Sequence, residues 1–216
     1  MELPFTTEEF LKVFEKYNIA IWPMQYVLIF IALTAFWLSI RKRSYSAKFI
    51  ILILSFLWLW MGIVYHLLFF TVINKAAFVF GSLFIIQGIL FFIMSWKNSL
   101  SFGFRKDIYF LTGIILIIFS LIVYPVIGYF SGHVYPSSPS FGLPCPTTIF
   151  TFGILLLMTK KCPIYLLIIP FLWSIIGFAA AFSLGIKEDT GLLIAGVVSS
   201  ILVVNKNKSI KLFKLA

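Results

Sequence analysis

Apolar residues gather into seven runs, near Asn18–Ile40, Phe49–Ile73, Ala76–Trp96, Ile108–Phe130, Cys145–Thr159, Ile164–Ile186 and Gly191–Val204. A helix that crosses a membrane needs roughly 20 mostly apolar residues. Five runs meet that length. The fifth and seventh fall short and are expected to extend into flanking loop, thin the bilayer or be partly re-entrant. Ahead of the first run, Thr6 and Glu9 have the spacing of a capping box, and Phe10, Val13, Phe14 and Tyr17 follow at helical intervals. That pattern predicts a short amphipathic helix on the outer membrane surface. The chain therefore reads as an all-α integral membrane protein, a bundle of about seven transmembrane helices. Its parts are an outer amphipathic helix at 1–17, the bundle at 18–204 and a basic cytoplasmic tail at 205–216.

Composition supports the class. Hydrophobic residues make up 62% of the 216 and charged residues 11%, against about 25% charged in a soluble domain. The net charge of +10 suggests a nucleic-acid partner until its placement is considered. The segments between alternate runs hold Arg41, Lys42, Arg43 and Lys48; Lys97, Arg105 and Lys106; Lys160 and Lys161; and Lys206, Lys208, Lys211 and Lys214. The opposite set holds only Lys12, Lys16, Lys75 and Lys187, with Glu2, Glu8, Glu9, Glu15, Glu188 and Asp189. This asymmetry follows the positive-inside rule and predicts an amino terminus outside and a cytoplasmic carboxyl terminus. No basic stripe interleaved with stacking aromatics is present, so a nucleic-acid partner is not expected.

Small residues recur every four positions late in the chain, at Gly177, Ala181 and Gly185 and again at Gly191, Ala195 and Ser199. They predict a tight hairpin of the last two helices. No Asp or Glu falls within a predicted span, which weakens carboxylate-coupled ion transport and paired-carboxylate hydrolysis. Nucleophile-elbow, zinc-protease and phosphate-loop motifs are also missing. The reading leans away from an enzyme, and no catalytic residue is assigned.

The remaining polar groups mark one region. His66 lies inside the second span, and an ionisable group there is a functional candidate by default. Gln87 reads as interhelical glue or a ligand contact. The loop from Ser131 to Thr148 is uncharged, with four prolines and two glycines, and is expected to fold back over the bundle. Within it Cys145 is placed at a helix N-cap, where the dipole would lower its thiol pKa. Candidate substrate-binding residues are His66, Gln87, Tyr65, Tyr135 and Thr147. His66, His133 and Cys145 are candidate ligands for copper or zinc, or for haem.

The stretches Leu3–Phe10, Trp58–His66, Ile73-Asn74 with Phe80-Gly81, and Gly142–Thr148 resemble a family of uncharacterised bacterial multi-span membrane proteins, a domain of unknown function. The resemblance implies a bacterial inner (cytoplasmic) membrane location and brings no activity with it. The leading functional reading is a small permease or channel-like carrier with an outward-facing site for a small molecule or ion, set in the lipid bilayer. The alternatives are a membrane metal- or haem-binding protein and a non-catalytic assembly or sensory component. Oligomeric state is left open.

Overall fold

The computed structural model describes residues 4–41, 45–97 and 100–212. Glu2, Lys42, Arg43 and Lys214, used above in the charge bias, lie outside the described residues. Among the described residues the fold is all-helical, with isolated bridges but no strands. The helices are α1 (Thr7–Ala20), α2 (Met24–Ile40), α3 (Ser46–Val72), α4 (Ala77–Ser95), α5 (Ile108–Phe130), α6 (Pro144–Leu156), α7 (Tyr165–Ser183) and α8 (Lys187–Ile210).

Five of these, α3, α4, α5, α7 and α8, are long and apolar enough to cross a membrane. The number rises to six if α1 and α2, bent at 86° to each other, form one broken span. The expected seven therefore becomes five or six. The seventh run, expected to be short, belongs to a 24-residue helix, because polar Lys187–Asp189 and Asn205–Ile210 continue its turns. The fifth run changes role altogether. Helix α6 has 13 residues, all of them buried except Cys145. A helix that is apolar all round belongs inside a bundle, and α6 lies against α2, α5, α7 and α8 as the core element they surround.

Helix α1 begins as its capping box predicts: Glu9 N donates to Thr6 Oγ1 at 3.2 Å, and Thr6 N donates to Glu9 Oε2 at 2.8 Å. Val13, Phe14, Tyr17 and Asn18 are buried, so its apolar face packs on the bundle. Two helix pairs approach to backbone contact. A Cβ on Gly62 of α3 would sit 2.9 Å from the Gly81 carbonyl of α4, and one on Gly113 of α5 would sit 2.8 Å from the Gly153 carbonyl of α6. Only glycine tolerates either crossing. Helices α7 and α8 pack as the predicted hairpin, with Gly177 against Leu192. Gly185 instead makes the turn between them, at φ +73°.

The loop from Ser131 to Leu143 folds back over one end of the bundle. Asn18 Nδ2 donates to the Pro136 and Ser138 carbonyls at 2.7 and 2.8 Å. Tyr17 donates to the Gly142 carbonyl at 3.1 Å and accepts from Trp60 Nε1 at 2.8 Å. An uncharged loop satisfies its carbonyls this way because an unpaired buried one is costly.

Candidate functional site

Under that loop lies a cavity of about 760 Å³. Its walls come from α1, the second half of α3, α4, α5, the first turn of α6, α7 and the start of α8. Two of these helices lose regular α geometry nearby: α3 carries π-type turns over Met61–Phe69 and α5 over Phe119–Val123. Such wide turns inside helices are frequent at functional sites. Phe5, Phe10, Phe14, Phe70 and Phe80 make much of the wall apolar. The ring of Phe70 stacks on Tyr65 at 5.6 Å and meets Phe5 edge-on at 5.6 Å. Phe182, 76% exposed, belongs to the rim. The cavity thus reaches the apolar outer face of the bundle.

The polar end is built around the first residues of α8. Glu188 and Asp189 are 1% and 4% exposed. Tyr124 Oη donates to Asp189 Oδ1 at 2.6 Å, and the Cys145 thiol lies beside this carboxyl. Glu188 Oε1 pairs with His133 Nδ1 at 2.7 Å, while its Oε2 has no partner. Trp173 Nε1 faces the Cys145 sulfur without a well-formed hydrogen bond. Among the described residues lining the cavity, Asp189 is the one acidic side chain and none is basic.

These carboxylates correct the expectation that no acidic group enters the bundle. An acidic pair directly before an apolar run reads as exposed loop. Here the turn into α8 and the folded-back loop bury it. The same geometry corrects the reading of Cys145. The N-cap of α6 is Leu143, and Cys145 is the second helical residue behind Pro144. Burial pushes its thiol pKa up, and the nearby Asp189 carboxylate adds to the rise. Both effects oppose the predicted lowering.

The structure does not bring the predicted metal ligands together. His133 is committed to Glu188. His66 is fully buried among the rings of Phe84, Trp173 and Tyr65, at 4.7, 5.1 and 5.1 Å, with neither ring nitrogen partnered. Cys145 sits with Asp189. Among the described residues no three His, Cys, Asp or Glu side chains form a group that could hold a metal ion. His66 and His133 thus have different immediate neighbours, rings around the one and Glu188 against the other.

The other predicted positions divide. Tyr65 lines the cavity. His66 stands behind its Trp173 wall. Gln87 is buried with Nε2 donating to the Leu166 carbonyl at 3.1 Å, tying α4 to α7. Thr147 accepts from the Gly142 amide at 3.1 Å and braces the start of α6. Tyr135 is 53% exposed beside Trp22, away from the cavity. Asp189, Tyr124 and Trp173 were not among the candidates. The Tyr124-Pro125 break and the acid placed one residue before an apolar run were the signals available for two of them.

No curated protein and no solved structure matches the chain. One family profile does, from residue 7 to residue 214, and it takes in three of the four resembling stretches whole, those that supply Tyr65, Asn74, Phe80 and Cys145 to the cavity wall. Since the match covers nearly the whole chain, the protein belongs to DUF6064, a family of unknown function.

Proposed function

We propose that the protein is a small multi-pass carrier in a bacterial cytoplasmic membrane, which takes up a largely apolar small molecule from the outer half of the bilayer. The observation that carries this reading is the cavity. At about 760 Å³ it falls within the roughly 300–1,000 Å³ range of small-molecule sites, and it pairs apolar walls with a few convergent polar groups. Its rim includes exposed apolar side chains of α7, which favours lateral access from lipid over access from water. Interrupted helices beside it suit a carrier, since broken helices commonly line transport sites. The charge bias puts the α1 end outside and the Lys-rich end in the cytoplasm.

The test is binding of the neutral fluorophore N-phenyl-1-naphthylamine to the protein in lipid nanodiscs. Saturable binding near one molecule per chain is expected. Ala181→Phe, which places a ring in the cavity, should weaken it at least about tenfold, the scale on which a pocket contact of this size discriminates. Binding no greater than that of empty nanodiscs, or indifferent to Ala181→Phe, would contradict the proposal.

A further inference from the structure

The lining of the cavity is uneven, and the unevenness selects among ligands. Aromatic rings from four elements form the apolar part: Phe10 of α1, Tyr65 and Phe70 of α3, Phe80 of α4 and Trp173 of α7. At the other end stands the Asp189 carboxyl, buried, accepting from the neutral Tyr124 and lying beside the Cys145 thiol. Among the described residues no Lys, Arg or His lines the cavity. The histidine nearest in the acidic pair is already engaged with Glu188. Next to Asp189 in the chain, the second oxygen of buried Glu188 has no partner among the described residues.

A buried carboxyl without a cation is costly to ionise and stays protonated unless a counter-charge reaches it. Rings of Phe, Tyr and Trp attract cations through their quadrupoles. An anionic ligand would face Asp189 with no cation in the wall to offset it. A neutral ligand would leave the acid protonated and gain nothing from its charge, whereas a cation stabilises the ionised form. From these two features, the aromatic wall and the unpaired acid at its end, we infer that the ligand is a lipophilic monocation. Its ammonium-type head sits at Asp189 and its apolar part lies among Phe10, Phe70 and Phe80. This deepens the carrier reading and rests on it. Lateral access fits the same class, because an amphiphilic cation concentrates at the lipid surface with its tail already in the bilayer.

The experiment uses three ligands of one chain length: octyltrimethylammonium, 1-octanol and octanesulfonate. Each is titrated against N-phenyl-1-naphthylamine bound to the full chain in nanodiscs of zwitterionic lipid, with empty nanodiscs subtracted. Octyltrimethylammonium should displace the fluorophore at a concentration at least about tenfold below octanesulfonate, with 1-octanol between them. Asp189→Asn should bring the cation-to-anion ratio close to one, and Asp189→Glu should restore it. Phe70→Leu keeps the wall apolar but removes a ring, and should lower the cation's advantage over 1-octanol.

Displacement by 1-octanol with no preference for the cation, in the wild type, would overturn the inference and leave the carrier reading standing. Failure of all three, or of the fluorophore itself to bind, would remove both. A wild-type preference unchanged in Asp189→Asn and Phe70→Leu would also overturn it, since the selectivity would then arise elsewhere. Should Asp189→Asn not fold, the wild-type ratio and Phe70→Leu still decide.

Discussion

Helix α8 buries an ionisable side chain near each end, and the two are treated in opposite ways. At its far end Lys206 is 2% exposed. Its ammonium donates to the Leu156 carbonyl at 3.1 Å and to the Met158 carbonyl, at the C-terminus of α6, and stands 5.6 Å from the Tyr109 ring. A cation at a helix C-terminus meets carbonyls that have no partner within the helix, so each side satisfies the other. At its near end Asp189 has two neutral neighbours and an open cavity. One charge completes the fold. The other is left with room beside it, which is where a ligand of opposite charge gains most.

The contrast breaks most visibly at Lys206. Lys206→Met keeps the length and volume of the side chain but removes its donors, so the Leu156 carbonyl loses its Lys206 bond and the Met158 carbonyl keeps only the 3.4 Å contact from Arg105. Hydrogen bonds to a charged group contribute about 1.5–3 kcal/mol each, so stability in denaturant or heat should fall by about 2–3 kcal/mol. A neutral result would mean that water or another group already serves α6.

A second, smaller effect belongs to the same end. Asp107 caps α5 by accepting from the Phe110 amide at 2.9 Å and pairs with Arg105. Against a desolvation cost, the Phe110 N–H and the Arg105 guanidinium hold its carboxyl below the usual value of 3.8. Asp107→Ala should cost about 1 kcal/mol at neutral pH, the usual scale for an N-cap. Because the folded value lies below the unfolded one, this contribution is present above the unfolded value and is lost as pH falls through the folded value. The difference between wild type and Asp107→Ala should therefore shrink below about pH 4. A difference that stayed constant into acid would mean the carboxylate does not act as the cap.

At the cavity end the expected change in stability is the smallest. Asp189→Asn keeps an acceptor for Tyr124 beside the Cys145 thiol and removes an ionisable group that no described side chain balances. Stability should fall by less than about 1 kcal/mol or rise. A loss as large as that of Lys206→Met would make Asp189 a structural charge after all.

Much of the helical frame was legible in the residues. The capping box at Thr6 and Glu9 starts α1, four of the five full-length runs become long helices while the first is broken between α1 and α2, and the uncharged prolines and glycines of residues 131–143 make a loop that folds inward. Small residues around Gly177 do bring α7 and α8 together. What stayed hidden depends on tertiary surroundings. An apolar run of 15 residues looks alike as a short span and as the buried core helix α6, since periodicity cannot tell one from the other. Glu188 and Asp189 look like solvated loop until the 131–143 loop is seen to close over them. Cys145 moved from N-cap to second helical position by two residues, enough to replace a dipole argument with burial beside a carboxylate. His66 was singled out for lying within an apolar run, and it is buried within α3, a helix long and apolar enough to cross a membrane; its nearest neighbours are rings, and His133 is paired with Glu188 instead.

The most direct test compares the two ends of α8 in one measurement. Thermal unfolding of wild type, Lys206→Met and Asp189→Asn is followed in nanodiscs with octyltrimethylammonium at about 100 times its wild-type dissociation constant. A ligand bound only by the folded state adds about 2.7 kcal/mol at that concentration. Wild type and Lys206→Met should both gain close to that amount, from different starting stabilities, and Asp189→Asn should gain far less. An equal gain in Asp189→Asn, or a gain lost only in Lys206→Met, would contradict the assignment of one buried charge to the fold and the other to a ligand.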